Sequence, residues 1–135
     1  MSDCVFCKIV KGEIPCDKVY EDKVAVAFLD INPSTRGHTL VVPKKHFDHL
    51  TDMPKKDLCT FMESVQKVAK GVEAYGEGLN MLLNNGHVAG QLVPHVHFHL
   101  VPRRTGDGVQ MGNWRTTKFT DMDKIAKDIK SLLKQ

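Results

Sequence analysis

Hydrophobic positions recur along the chain with helical spacing in three segments. The longest lies between Pro54 and Tyr75, where apolar residues repeat at i, i+3, i+4 and i+7: Leu58, Phe61, Met62, Val65, Val68, Ala69 and Val72. This period predicts a long amphipathic helix with Pro54 in its first turn. A short helix is predicted before Gly12, and a C-terminal helix, capped by Thr120, is predicted on Met122, Ile125, Ala126, Ile129, Leu132 and Leu133.

Shorter β-rich runs predict five strands between these helices. The first two, at 19–20 and 24–29, flank the polar Glu21-Asp22-Lys23 as a hairpin, and the third spans 38–42. The last two, at 79–83 and 95–101, are joined by a glycine-containing loop. Because strands and helices do not alternate regularly, we predict an α+β fold. It comprises a mainly antiparallel five-stranded sheet with one long helix, a short N-terminal helix and a C-terminal helix.

Length and charge limit the kinds of protein to consider. With 135 residues the chain is expected to form a single domain over 1–135. Its formal charge of +3 is spread along the chain, which favours small anionic ligands and no nucleic acid. No apolar stretch is long enough for a membrane span and no signal peptide is evident, so no membrane partner and a cytoplasmic location are expected. Its four cysteines are then free thiols or metal ligands.

Three histidines alternate with apolar residues in the last predicted strand. Successive side chains of a strand point to opposite faces, so His95, His97 and His99 are expected on one face, with neighbouring rings about 7 Å apart. Val96, Phe98 and Leu100 then face the core. The alternatives are an ordinary polar strand face open to water and a catalytic metal site built on the three histidines.

This segment resembles the signature of the histidine triad family, His-x-His-x-His followed by two apolar residues. Further segments resemble family segments in the same order: 4–9, 28–33, 37–46, Asn84-Asn85-Gly86 and Gly90-Gln91. Together they extend from residue 4 to about residue 103. The chain is therefore identified as a single histidine triad domain similar to the zinc-containing branch of the family.

The resemblance implies the residues of a nucleotide-cleaving site. His97 corresponds to the nucleophile, His99 to the histidine on the phosphate and leaving-group side, and His38 to a fourth, supporting histidine. Gln91 is assigned to the catalytic group, and Asn84 and Gly90 to the phosphate side. A neutral imidazole is a competent nucleophile near pH 7, and such a site requires no catalytic metal.

The nucleoside contacts also follow from the resemblance. Asp30 corresponds to the residue that binds the ribose hydroxyls, which suits a carboxylate because it accepts two hydrogen bonds at once. The apolar pocket for a purine base corresponds to Phe6, Ile9, Phe28, Leu29 and Ile31. Leu92 stands where many members carry a serine that supplies a proton to the leaving group. Because leucine has no such proton, cleavage of P–N bonds is the activity that this departure puts in question.

A Cys-x-x-Cys pair at Cys4 and Cys7 is the first half of a common zinc pattern, but the chain has no second pair. The resemblance implies that His46 and His95 complete a structural zinc site. Two free thiols at a helix start are the alternative.

The resulting hypothesis is a hydrolase or transferase that cleaves purine nucleotide derivatives at the α-phosphate through a nucleotidyl intermediate on His97. Its substrates would be phosphoramidates, adenylates or dinucleoside polyphosphates. A non-catalytic nucleotide sensor or a partner-binding scaffold with residual activity is the alternative. The resemblance also implies a homodimer, with Trp114 near the interface.

Overall fold

A computed structural model describes residues 3–110 and 115–133 of the chain. It contains three α-helices, α1 (Val5–Val10), α2 (Lys55–Tyr75) and α3 (Met122–Leu132). Five strands form its single sheet: β1 (Lys18–Glu21), β2 (Ala25–Leu29), β3 (Thr39–Pro43), β4 (Gly78–Leu82) and β5 (Phe98–Arg103). The predicted α+β class, with five strands and one long helix, is confirmed.

All neighbouring strands in the sheet are antiparallel, in the order β1-β2-β3-β5-β4. Strand β5 therefore lies between β3 and β4, although β4 precedes it in sequence. In this register Leu40 of β3 is opposite His99 of β5, and Leu82 of β4 is opposite His99 on the other side. This pairing brings the segment that contains His38 beside the histidine segment.

The two faces of the sheet have different partners. Residues Ala25, Ala27 and Leu29 of β2 belong to the main core, which also contains buried side chains of α2 and α3. Val26 and Phe28, which alternate with them, belong to a second cluster with residues of α1. The helices α2 and α3 thus cover one face, and α1 covers part of the other.

Three local predictions are wrong in detail. Pro54 is the N-cap of α2 and does not lie in its first turn. The N-cap of α3 is Asp121 and not Thr120, and the carboxylate of Asp121 forms an ion pair with Arg36. Strand β5 begins at Phe98, so His95 and His97 lie before it.

The late start of β5 has a structural reason. The backbone N–H of His95 donates to the carbonyl of Val93 at 2.8 Å, and that of Val96 donates to the carbonyl of Phe47 at 2.9 Å. Since Pro94 has no N–H to give to a ladder, this segment turns tightly before the strand begins.

Within the described ranges, no helix is long and apolar enough to cross a membrane. Trp114, expected near a dimer interface, lies outside the described residues.

Candidate active site and metal centre

Four potential metal ligands converge from three parts of the chain. Cys4 and Cys7 come from the start of α1, His46 follows β3, and His95 precedes β5. Sγ of Cys4 lies 3.3 Å from Nδ1 of His95, and Sγ of Cys7 lies 3.3 Å from Nδ1 of His46. The two Nδ1 atoms are 3.1 Å apart. We call this group the four-ligand cluster; all its ligand atoms lie within 4.8 Å of one another.

Hydrogen bonds on the far side of each ring direct the lone pairs of this cluster inward. Nε2 of His95 lies 2.8 Å from the carbonyl of Pro43, and Nε2 of His46 lies 2.8 Å from a carboxylate oxygen of Asp48. Both oxygens can only accept, so each ring carries its proton on Nε2 and its lone pair on Nδ1. A carbonyl or carboxylate bonded to the outer N–H is the usual support of a metal-binding histidine.

The spacing of these atoms suits zinc. Tetrahedral bonds of about 2.0–2.3 Å to nitrogen and sulfur imply ligand separations of about 3.3–3.8 Å. The separations of 3.1–3.6 Å between the histidine nitrogens and their partners are close to that range. Burial lowers the pKa of His95 to about 4 and raises the pKa of the Cys7 thiol. A metal must therefore displace a proton from that thiol as it binds.

His97 lies directly beside the four-ligand cluster. Its Nδ1 is 2.7 Å from the carbonyl of His95, so Nδ1 carries the proton and Nε2 holds a free lone pair. The ring of Phe6 contacts it edge-on, with ring centroids 5.0 Å apart, and Phe6 also contacts the ring of His95. His97 is thus held in one tautomer and one orientation.

A second pair of histidines lies next to His97. The backbone N–H of Ser34 donates to Nδ1 of His38 at 3.0 Å, which leaves the ring proton of neutral His38 on Nε2. That atom lies 3.0 Å from Nδ1 of His99, which then accepts, so neutral His99 carries its proton on Nε2. Burial lowers the pKa of His38 and that of His97, and it lowers the pKa of His99 to about 4.

The rings of His97 and His99 are closer together than regular strand spacing predicts. The ring centroids of His97 and His99 are 5.0 Å apart, against the expected 7 Å or so. The difference arises because His97 lies outside the regular strand.

The carboxylate of Asp30 lies at the edge of this site. Its Oδ1 accepts the backbone N–H of Asn32 at 2.8 Å. Its Oδ2 lies 3.4 Å from Nε2 of His38 and 3.9 Å from Nδ1 of His99. The side chain is only 15% exposed.

Asp30, His38 and His99 also have a spacing that could hold a metal ion. Their hydrogen bonds argue against it, because the N–H of Ser34 occupies the lone pair on Nδ1 of His38 and places the ring proton on Nε2, which faces the group. In the four-ligand cluster, by contrast, lone pairs face inward. The two groups therefore differ in chemistry despite their similar composition.

The loop after β4 is held by Gln91. This side chain is buried; its Oε1 accepts the N–H of Gly86 at 2.7 Å and its Nε2 donates to the carbonyl of Asp48 at 2.6 Å. Nδ2 of Asn84 donates weakly to the carbonyl of Gly90 at 3.4 Å. Gly90 has a φ of 98°, and a Cβ there would lie 3.3 Å from the Asn84 amide. Both amides thus shape the loop, and Gln91 also ties it to the segment that carries His46.

The structure brings together some of the expected base-pocket residues but not all. Phe6 and Phe28 are buried and pack edge to face, with Ile9 against the same cluster. Leu29 lies on the opposite face, in the main core under α2, so it does not reach this pocket. Ile31, also expected in the base pocket, is 82% exposed, and Leu92, expected on the leaving-group side, is 81% exposed.

Two residues with clear roles here were not expected from the sequence. Ser34 acts through its backbone N–H, which no side-chain pattern reveals. Asp48 orients His46, and its place two residues after a potential ligand is the signal that points to it.

Known proteins resemble this chain over nearly its whole length. The HIT domain model matches residues 11–106. An adenosine 5'-monophosphoramidase of Saccharomyces cerevisiae is 43% identical over 130 residues, covering 96% of this chain and 80% of the yeast protein. An adenylylsulfatase of Arabidopsis thaliana is 36% identical over 136 residues, covering 99% and 69%.

Comparison with solved structures leads to the same family. A zinc-bound histidine triad family protein from Mycobacterium smegmatis superposes with a TM-score of 0.86 at 37% identity, covering 98% of this chain and 94% of that one. The chain belongs to the histidine triad family.

Proposed function

We propose that this protein is a hydrolase or transferase that cleaves purine nucleotide derivatives at the α-phosphate through a covalent intermediate on His97. The observation that carries the proposal is the tautomer of His97. Its Nδ1–H is committed to the carbonyl of His95 at 2.7 Å, which leaves the Nε2 lone pair for attack. Burial lowers the pKa of His97, so this lone pair stays unprotonated at neutral pH.

The reaction consists of two displacements at phosphorus. Nε2 of His97 bonds to the α-phosphorus while the bond to the leaving group breaks, and the leaving group departs with the electron pair. Water or another acceptor then bonds to phosphorus, the P–N bond breaks, and the imidazole and a nucleoside monophosphate are released. The water gives up one proton in this second step.

Neighbouring groups supply the contacts for this chemistry. His99, with its N–H on Nε2, lies on the phosphate side, and His38 fixes that tautomer. Phe6, Ile9 and Phe28 form the apolar surface for the base, and Asp30 offers its remaining lone pairs to the ribose. Gln91 contributes by holding the loop with Asn84 and Gly90 in place beside the phosphates.

The identity of the leaving group is the part of the substrate that the site residues and the relatives define least. The yeast relative is a phosphoramidase and the plant relative an adenylylsulfatase, which represent an amine and an anionic leaving group. Leu92 is 81% exposed and cannot donate a proton. We infer a preference for leaving groups that depart as stable anions, such as those of mixed anhydrides.

Zinc has a structural role in this proposal. Cys4, Cys7, His46 and His95 would fill all four tetrahedral positions and leave none for substrate. The metal would fasten α1, with Phe6, to the segments that hold the triad. The cleavage reaction itself uses the histidines.

The homodimer implied by the family resemblance remains part of the proposal. Light scattering at micromolar concentration should give twice the mass of one chain. A monomeric mass would remove the dimer without affecting the chemistry on His97.

Trapping of the intermediate tests the proposed reaction. The protein is mixed briefly with an adenylate, quenched in base, which preserves phosphorus–nitrogen bonds to histidine, and analysed by intact-mass and peptide mass spectrometry. We expect an AMP adduct on the peptide that contains His97 and none in His97→Asn. Stoichiometric nucleotide binding with neither an adduct nor turnover would instead favour the nucleotide-sensor alternative.

A further inference from the structure

The second oxygen of Asp30 faces two histidine nitrogens. Oδ2 lies 3.4 Å from Nε2 of His38 and 3.9 Å from Nδ1 of His99, while Oδ1 is bonded to the N–H of Asn32. A carboxylate that served only to hold ribose would have no need of this position. Its place next to both rings calls for a second role.

In the neutral state every nitrogen of the His38–His99 pair has a defined partner or direction. Nδ1 of His38 accepts from Ser34, the Nε2–H of His38 donates to Nδ1 of His99, and the Nε2–H of His99 is left for the substrate. If neutral His99 gave that proton to a leaving group, the pair would be left as an anion. His99 can therefore act as an acid only after the pair has first taken up an additional proton.

The protonated His38–His99 pair needs a further hydrogen-bond acceptor for its N–H groups. When a proton adds to Nδ1 of His99, that N–H and the N–H on Nε2 of His38 point at each other across 3.0 Å. Both hydrogens then need a common acceptor beside them. Oδ2 of Asp30 lies within 4 Å of both nitrogens.

We propose that Asp30 is a positioning residue that allows the His38–His99 pair to become cationic, in addition to its contact with ribose. The proton comes from solvent, and the pair changes from neutral to a charge of +1. The net charge of Asp30, His38 and His99 together changes from −1 to 0. His99 can then donate its Nε2 proton to a leaving group, after which His99 is neutral again with its remaining proton on Nδ1. This inference rests on the proposed function.

The surrounding charges are consistent with this role. The titratable groups that face the pair are Asp30, from the end of β2, and His97, from the segment before β5. Burial lowers the pKa values of His38 and His99, and the carboxylate of Asp30 acts in the opposite direction on both. Removal of its charge makes protonation of the pair harder.

A comparison of two enzymes with two substrates separates the two roles of Asp30. Wild-type and Asp30→Asn proteins are assayed with an adenosine phosphoramidate and with its 2',3'-dideoxy counterpart, which has no diol. Asparagine keeps an oxygen for the N–H of Asn32 but loses the charge. We expect kcat to fall about tenfold or more with both substrates, and KM to rise only with the ribose form. A loss of kcat that disappears with the dideoxy substrate would overturn the proposal and leave Asp30 as a ribose contact.

The same variants give a further kinetic readout. The alkaline limb of kcat for the phosphoramidate should move to lower pH in Asp30→Asn, because the acid that must be protonated has become a stronger acid. Asp30→Glu, which restores the charge, should recover most of kcat. An unchanged pH profile together with no recovery would count against the proposal.

A measurement without nucleotide keeps the inference testable if the proposed reaction fails. The free energy of unfolding is measured from pH 7 to pH 4 in wild-type and Asp30→Asn proteins, each with its zinc content checked. Because the pair should be harder to protonate in folded Asp30→Asn, this variant should lose more stability than the wild type between pH 5 and pH 4. Parallel curves would overturn the proposal even in a protein with no turnover. Absence of turnover in the wild type would overturn the proposed function instead.

Discussion

Two pairs of histidines have nearly the same spacing and opposite chemistry. His46 and His95 approach through Nδ1 atoms 3.1 Å apart, and His38 and His99 approach through ring nitrogens 3.0 Å apart. In the first pair, oxygen atoms accept the outer N–H groups. The two Nδ1 lone pairs therefore face each other, in the arrangement that two ligands of one cation would have. In the second pair, the backbone N–H of Ser34 fills an outer lone pair, so a proton lies between the rings.

The comparison shows that the partner on the far side of the ring sets the tautomer of a histidine here. A carbonyl or carboxylate behind the ring leaves a lone pair on the inner nitrogen, as a metal ligand requires, and an N–H behind it leaves a proton there, as a proton donor requires. His97 lies between the two pairs. Its outer partner is the carbonyl of His95, so its inner nitrogen also keeps a lone pair, but in the opposite tautomer, with the proton on Nδ1 and the lone pair on Nε2.

The strongest test of this difference between metal-binding and catalytic histidines is His97→Asn. We expect kcat to fall by about 10⁴-fold or more because no nucleophile remains, while AMP binding and zinc content stay close to those of the wild type. Initial rates, calorimetric titration with AMP and elemental analysis measure the three quantities. His49→Asn is the matched control, since His49 lies outside both groups. Activity above about 1% of wild type in pure His97→Asn would contradict the covalent mechanism.

The complementary test is Cys4→Ser, which should affect zinc binding and stability. We expect about one zinc per chain in the wild type and a large loss in the variant, with the free energy of unfolding lowered by several kcal/mol. Cys59→Ser, at an exposed position on α2, serves as the control and should keep both metal and stability. Equal zinc content and equal melting temperature in Cys4→Ser and Cys59→Ser would leave Cys4 as an ordinary thiol.

Much of the fold and of the candidate site could be predicted because their signals lie in short stretches of the sequence. The alternating histidines and the Cys-x-x-Cys pair are side-chain patterns, and the helical period of α2 is long enough to be unmistakable. The family resemblance connects chain segments that lie far apart in the sequence. His46 and His95, for example, are 49 residues apart, and spacing alone does not connect them.

Other features could not be predicted because they depend on backbone groups and sheet faces. The tautomers of His38, His95 and His97 depend on the N–H of Ser34 and on carbonyls of Pro43 and His95, which any residue type supplies. The family resemblance predicts that Leu29 and Phe28 line the same base pocket. The alternation of a strand places neighbours on opposite faces, so the two cannot share a pocket.

Leu92 is expected to affect the departure of the leaving group. We expect Leu92→Ser to raise the ratio of kcat/KM for an adenosine phosphoramidate to that for a mixed anhydride by roughly tenfold to a thousandfold, because a hydroxyl can pass a proton to the departing amine. Leu92→Ala is the matched control, since it removes the exposed side chain without adding a hydroxyl. An equal change in the ratio for Ser and Ala would assign the effect to space and not to a proton.

The smallest expected effect is on stability in mild acid. Burial lowers the pKa of His99 to about 4 from an ordinary value of 6.5, so between these values the unfolded chain binds more protons than the folded protein. The stabilisation is therefore complete above about pH 6.5 and is lost as pH falls toward 4. From 2.5 pKa units at 1.36 kcal/mol each, the full contribution is roughly 3 kcal/mol.

His99→Gln removes this contribution and leaves the zinc ligands in place. Denaturant unfolding from pH 7 to pH 4 should show a shallower loss of stability in His99→Gln than in the wild type, by about one proton over the window. His49→Gln, whose histidine side chain is 42% exposed, should retain the wild-type slope. Because acid also weakens the four-ligand cluster, all three proteins are compared with zinc in excess. Identical slopes in His99→Gln and the wild type would mean that the His38–His99 pair is already charged near neutral pH, and the distinction between the two pairs of histidines would then fail.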